Sequence, residues 1–162
     1  MSMLKRCLGY LKQNQILYTH SIHSSARTAR EVAYVEGMPA HSMAKTVVYA
    51  SDNGYGMAVV PADSIVDFGE LRRLLGLSDI RLATESELLN LFPDCELGAM
   101  PPFGNLYGMP VLMDESLASI AYIAFNAGTH RDLIHMSGAD FHKLVNPLVA
   151  AFAIKEQVAL GC

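Results

Sequence analysis

The stretch KTVVYASDNGYGMAVVP, residues 45–61, decides the fold. Two runs rich in β-branched and aromatic residues, KTVVYA and YGMAVVP, flank Asp52-Asn53-Gly54. Such runs favour pleated strands, and an Asn-Gly turn accepts the backbone angles that fold one strand back on the next. The spacing therefore predicts an antiparallel hairpin. Its strands are too apolar to stand alone and require further strands beside them and helices over them.

Working outward, the chain supplies both. Leu4, Cys7, Leu8 and Leu11 recur at helical spacing, which predicts an amphipathic helix over residues 3–13 with Lys5 and Lys12 on its outer side. A short strand is expected at Ile16 to His20. Thr28-x-x-Glu31 has the form of a capping box and opens a helix that runs to Gly37. Downstream, Asp67-x-x-Glu70 opens FGELRRLLG, Ile80 to Ala83 reads as a strand, and Thr84-x-x-Glu87 opens ESELLNLF. PVLMD, ASIAYIAFN and RDLIHMS follow as strands and GADFHKLV as a helix closed by Asn146-Pro147, with a helical tail over residues 147–162. The elements predict a mixed α/β class, one domain over residues 1–162, with a mixed β-sheet surrounded by helices.

Composition agrees. A chain of 162 residues, 51% hydrophobic and 17% charged, can bury one sizeable core. Charged residues interrupt each apolar run well before the roughly 18 residues a membrane span needs, and MSMLKRCLGYLKQNQ makes a poor signal peptide, so a cytoplasmic protein with no membrane partner is expected. Cys7, Cys95 and Cys162 form neither a CxxC pair nor an even framework and read as reduced thiols. The net charge of −4 argues against broad affinity for nucleic acid, DNA included. Yet residues 1–30 carry Lys5, Arg6, Lys12, Arg27 and Arg30 and no acid, a net +5 that would suit a small polyanion entrance or, equally, a solvated helix face.

The chemistry-bearing segments lie late. In ELGAMPPFG, Glu96 to Gly104, Gly98 admits a close approach while Pro101 and Pro102 stiffen the chain and remove two donors. The amides of Ala99 and Met100 remain to hold a carbonyl or oxyanion, although a tight surface crossover would read the same. Lys45 opens its strand and His130 falls at a turn between strands; an ordinary strand end and a capped imidazole are the plain alternatives. His130 and His135 are an odd number apart, which on a strand sends them to opposite faces, so no metal and no cofactor are expected. Cys95 has no histidine partner nearby in sequence, and there is no GxSxG elbow.

In their order, these features resemble the YbaK and prolyl-tRNA synthetase-associated domain family. The likeness runs from Tyr18-Thr19-His20 and the Thr28 to Gly37 helix through Ala44-Lys45-Thr46-Val47-Val48, then Gly98-Ala99-Met100-Pro101-Pro102-Phe103-Gly104 and Gly128-Thr129-His130, to the helix before Pro147. The resemblance implies a YbaK-like fold and a free-standing, metal-independent aminoacyl-tRNA deacylase. Its expected substrate is mischarged tRNA held by the acceptor 3′ end, proline tRNA carrying a small wrong amino acid such as alanine or cysteine. Prolyl-tRNA synthetase is admitted as a second partner. Carried over by motif, catalysis falls on Lys45, Gly98 and His130, and substrate contacts on His20, Thr28, Thr46, Ala99, Met100, Pro101, Pro102 and Thr129. An aminoacyl ester is already activated, so placing a water and stabilising the oxyanion, with help from the substrate's own 2′-OH, is the implied chemistry. Met100, Pro102 and Phe103 are expected to line a small pocket. Thr46 stands where alanine-specific members carry asparagine, which leaves the amino acid open. The alternatives are a noncatalytic module that binds tRNA or a synthetase, and a hydrolase of free esters.

Overall fold

A computed structural model describes residues 2–24, 26 and 28–156. The hairpin is present: β2 (Ala44–Ser51) and β3 (Gly54–Pro61) pair antiparallel with Lys45 opposite Val60 and Ser51 opposite Gly54. Ser51 Oγ accepts from the Asn53 amide at 3.1 Å and donates to the Gly54 carbonyl at 2.9 Å, which locks the turn.

This hairpin is the middle of a five-stranded mixed sheet, ordered β5-β2-β3-β6-β9. β5 (Ile80–Leu82) adds antiparallel to β2, β6 (Val111–Asp114) parallel to β3, and β9 (Leu148–Ala150) parallel to β6. A second sheet is antiparallel, β1-β8-β7, from β1 (Tyr18–Ile22), β8 (Asp132–Ser137) and β7 (Tyr122–Asn126). Among the described residues, β4 (Ser64–Val66) pairs only with β10 (Ala153–Lys155).

Local chemistry sets the helices. α1 (Met3–Gln13) buries Met3, Cys7 and Leu11, the stripe its spacing predicts. α2 (Ala29–Glu36) is capped by Thr28, α3 (Phe68–Leu75) by Asp67 and α4 (Glu85–Leu91) by Thr84; each cap oxygen accepts the amide three residues on. Thr84 completes the reciprocal capping box, the Glu87 side chain accepting its amide. α5 (Glu115–Ala118) is a single turn, and α6 (Gly138–Val145) ends at Asn146 in the left-handed conformation, φ 51°. Phe103, Phe125 and Phe141 pack together in the largest core cluster, with Phe103 and Phe125 edge-to-face and their centroids 5.2 Å apart. α1 closes that core at Gly128, where a Cβ would stand 2.8 Å from the Met3 Cβ.

Three expectations need correction. The tail is not helical where it is described. Residues 148–150 and 153–155 are strands, because β6 offers an open edge and the buried Asp114 carboxylate takes the Phe152 and Ala153 amides, each at 2.9 Å. The rest, residues 157–162, lies outside the described residues. The strand expected from Ala118 begins at Tyr122, since Asp114 accepts the Ser116 amide and turns α5 first. β1 starts at Tyr18, two residues beyond Ile16, because its register is set across the sheet by β8, with Tyr18 opposite Met136.

Candidate functional site

Lys45 is the second residue of β2, beside the tight connection from β3 to β4. Its Nζ donates to the Ser64 carbonyl, and desolvation lowers its pKa, opposed in part by the Glu156 carboxylate. A cleft of about 460 Å³ opens here. That volume falls in the range of small-molecule sites, roughly 300–1,000 Å³. Five sequence-predicted residues meet in its lining: Thr28, Lys45, Thr46, Gly98 and Met100.

The remaining predicted residues do not line it. Gly98 has φ +84°, a conformation L side chains rarely adopt, and its missing Cβ leaves the ring of His130 3.7 Å away. His130 braces the loop from outside. Its Nε2–H donates to the Leu97 carbonyl at 2.7 Å, its amide donates to Glu96 Oε1 at 3.0 Å, and Nδ1 is left buried without a partner. The backbone continues the seam, with Gly128 N donating to Ala99 O and Glu96 N to Gly128 O, each at 2.8 Å. The turn and the loop are therefore one hydrogen-bonded unit.

Two details of the expected oxyanion cradle change. The Ala99 amide donates to Glu96 O at 3.0 Å, closing the turn, so it is occupied. Among the described residues, Gly98 and Met100 keep amides with no internal acceptor. Pro101, Pro102 and Phe103 are buried and do not line the cleft; Phe103 belongs to the aromatic core, its ring edge-to-face with Tyr10 and Phe125.

His20 and Thr129 are also outside the cleft, joined by Asp132. His20 Nε2 lies 2.6 Å from Asp132 Oδ1, and Thr129 Oγ1 donates to Oδ2 at 2.5 Å while accepting the Arg131 and Asp132 amides. Asp132 is 8% exposed and was passed over in the sequence, where an acid in RDLIHMS reads as a strand residue. Its apolar neighbours were the available signal, since a buried carboxylate demands partners. Asn126 and Glu156 were missed as well, and both line the cleft. Asn126 Oδ1 and Thr46 Oγ1 are buried with no partner, an arrangement that costs about 1–3 kcal/mol per group when left unmade.

Cys95 lies away from the cleft, and burial pushes its thiol up to about 12, the wrong direction for a nucleophile. Among the described residues no group of three or more His, Cys, Asp or Glu could hold a metal ion, and no helix is long and apolar enough to cross a membrane.

A cleft lined by the start of β2 and by Gly98 and Met100, with a half-buried lysine at its edge, has the dimensions of a small-molecule site. The chain belongs to the aminoacyl-tRNA editing domain family, whose model matches residues 23–144. It is 32% identical over 105 residues to the proline--tRNA ligase of Fervidobacterium nodosum, covering 65% of this chain and 17% of that protein. The chain spans about a fifth or less of the length of this and of a second such relative, the proline--tRNA ligase of Xanthomonas axonopodis pv. citri. Among solved structures, it is similar to a candidate trans-editing enzyme for prolyl tRNA synthetase, with TM-score 0.80 and 26% identity over 97% of this chain and 99% of the other.

Proposed function

We propose that this protein is a trans-acting deacylase that hydrolyses the ester of mischarged tRNA in the cytoplasm. Its substrate on this reading is proline tRNA bearing a small wrong amino acid such as alanine or cysteine, and prolyl-tRNA synthetase is the enzyme whose errors it corrects. The observation that carries the reading is the meeting of Lys45, Thr46, Gly98 and Met100 on one cleft in a chain of the editing family.

Each group has a task that its surroundings suit. Lys45 holds phosphate or hydroxyl oxygens at the tRNA 3′ end through a charge-assisted contact, at the strand start where its stem is sheltered and its head reaches the cleft. The Gly98 and Met100 amides, which lack internal acceptors, donate to the ester oxygen as it takes on charge. Met100 supplies an apolar wall suited to a short side chain. His130 acts through the loop, fixing Leu97 and hence Gly98, rather than on the substrate. With the thiol of Cys95 protonated and remote, water is the nucleophile, oriented by the bound ester's own 2′-OH. No metal is required. The proton taken from water passes to solvent or to the departing ribose oxygen.

Incubating the protein with proline tRNA charged with alanine, cysteine, serine or threonine, alongside the same amino acids as free esters, tests the reading. Hydrolysis of at least one charged tRNA and of none of the free esters is expected. Binding of tRNA with no turnover would make the chain a noncatalytic module, and turnover of the free esters would make it a general esterase.

A further inference from the structure

Arg30 is the second residue of α2 and reaches across the mouth of the cleft to the tail that follows β10. Its Nη1 lies 3.3 Å from Glu156 Oε2, and both residues line the cleft together with Lys45. The Glu156 backbone is anchored, its amide donating to the Asp63 carbonyl at 2.8 Å, which keeps the side chain within reach of Arg30. The same carboxylate is felt by Lys45, along with Asp63 on the acidic side and Arg30 on the basic side. The protein thus pairs one of its own anions with Arg30 in a cleft that Lys45 also lines, a cleft read as taking an RNA end.

We propose that Arg30 and Lys45 form a single phosphate subsite at the cleft mouth and that the Glu156 carboxylate fills it in the free protein, to be displaced when an RNA 3′ end enters. The proposal rests on the editing reading for the identity of the ligand, but Arg30 and Glu156 carry it independently of any hydrolysis.

Energetics favour displacement. The two side chains are 40% and 39% exposed, and an ion pair so wet is worth at most about a fivefold change in an equilibrium. An RNA phosphodiester carries the same single charge as a carboxylate but offers a guanidinium two parallel acceptor oxygens and brings the field of the neighbouring phosphates, so it outcompetes one isolated carboxylate.

The test is binding of a deacylated RNA hairpin ending in single-stranded ACCA, followed by fluorescence anisotropy over a salt series. Arg30→Gln is expected to weaken binding about tenfold and to lower the slope of log affinity against log salt by about 0.7. Glu156→Gln is expected to tighten binding about two- to fivefold, and to do so less in the Arg30→Gln background. Glu115→Gln, an identical charge change on an exposed residue outside the cleft, should leave affinity near wild type. Unchanged binding in Glu156→Gln, or equal tightening in Glu115→Gln, would overturn the proposal. Hydrolysis of mischarged tRNA by the unaltered protein is scored apart from this. If it occurs while Arg30→Gln and Glu156→Gln bind as wild type, the subsite falls and the editing reading stands. If it does not occur while those two variants shift affinity in opposite directions, the subsite stands alone.

Discussion

A lysine near the start of a strand normally carries its ammonium straight into water, whereas Lys45 is half-buried and burial lowers its pKa. Because that shift favours the neutral form, the ammonium is lost at a lower pH than that of a solvated lysine. RNA binding should therefore fall at lower alkaline pH than a solvated lysine would allow, and Lys45→Arg should move the fall upward; a wild-type profile flat to beyond pH ~10.5 would contradict a cationic role. Gly98 behaves differently. An added Cβ has room beside His130, but φ +84° strains any L residue, so Gly98→Ala should cost about 1–2 kcal/mol of stability as well as activity. Melting and turnover measured on the same preparation will separate the two losses. His130→Ala removes the brace on Leu97 and should lower turnover less than loss of Lys45, since the loop keeps its backbone bonds to residue 128. A larger loss than that of Lys45→Ala would place the imidazole on the substrate. What the sequence could not convey at this scale was occupancy. That Ala99 spends its amide on Glu96, and that Pro101 and Pro102 face inward, depends on how the loop closes on the 128–130 turn.

Elements were legible where their causes are local. Thr28, Asp67, Thr84 and Ser137 each cap a helix through an amide three residues away, and the Asp52-Asn53 turn joins adjacent strands. The tail was not legible, because nothing in residues 148–155 announces that β6, β4 and Asp114 will bind them. Asp114 illustrates the stakes. Burial raises its pKa, but the Ser116 hydroxyl and the Phe152, Ser116 and Ala153 amides more than offset this and hold it below the usual carboxylate range. A depressed folded-state pKa means stability that is present above the unfolded value near 4 and lost as pH falls through the lower folded value. Asp114→Asn should destabilise the fold by about 1–3 kcal/mol at neutral pH and flatten the acid side of the melting curve. Equal melting temperatures for the two proteins between pH ~3 and 7 would remove Asp114 from the tail's support.

Across the whole molecule, the +5 charge of residues 1–30 does not act as one patch. Arg6 is spent on the Leu106 carbonyl and the Tyr107 ring, 4.9 Å from its centroid; Lys5 and Lys12 sit on the exposed side of α1 and do not line the cleft. Of the described members of that segment, Arg30 alone reaches the site, while Arg27 lies outside the described residues. Reversing Lys5 and Lys12 together should thus leave RNA affinity and salt slope nearly unchanged, in contrast to the effect of altering Arg30. A drop in slope of about 1.4, two single-strand phosphates, would restore α1 to the interface. Exhaustive chelation should leave turnover intact, and recovery of lost activity by added zinc would refute a metal-free reaction.

The central claim is that a sheltered lysine and a loop backbone, without a protein nucleophile, suffice to cleave an aminoacyl ester on tRNA. Single-turnover hydrolysis of alanyl and cysteinyl proline tRNA by wild type and Lys45→Ala tests it most directly. Loss of one charge-assisted contact should slow Lys45→Ala by at least about a hundredfold, roughly 2.7 kcal/mol, while its melting temperature stays near wild type. Wild-type rates in Lys45→Ala on both substrates would contradict the account.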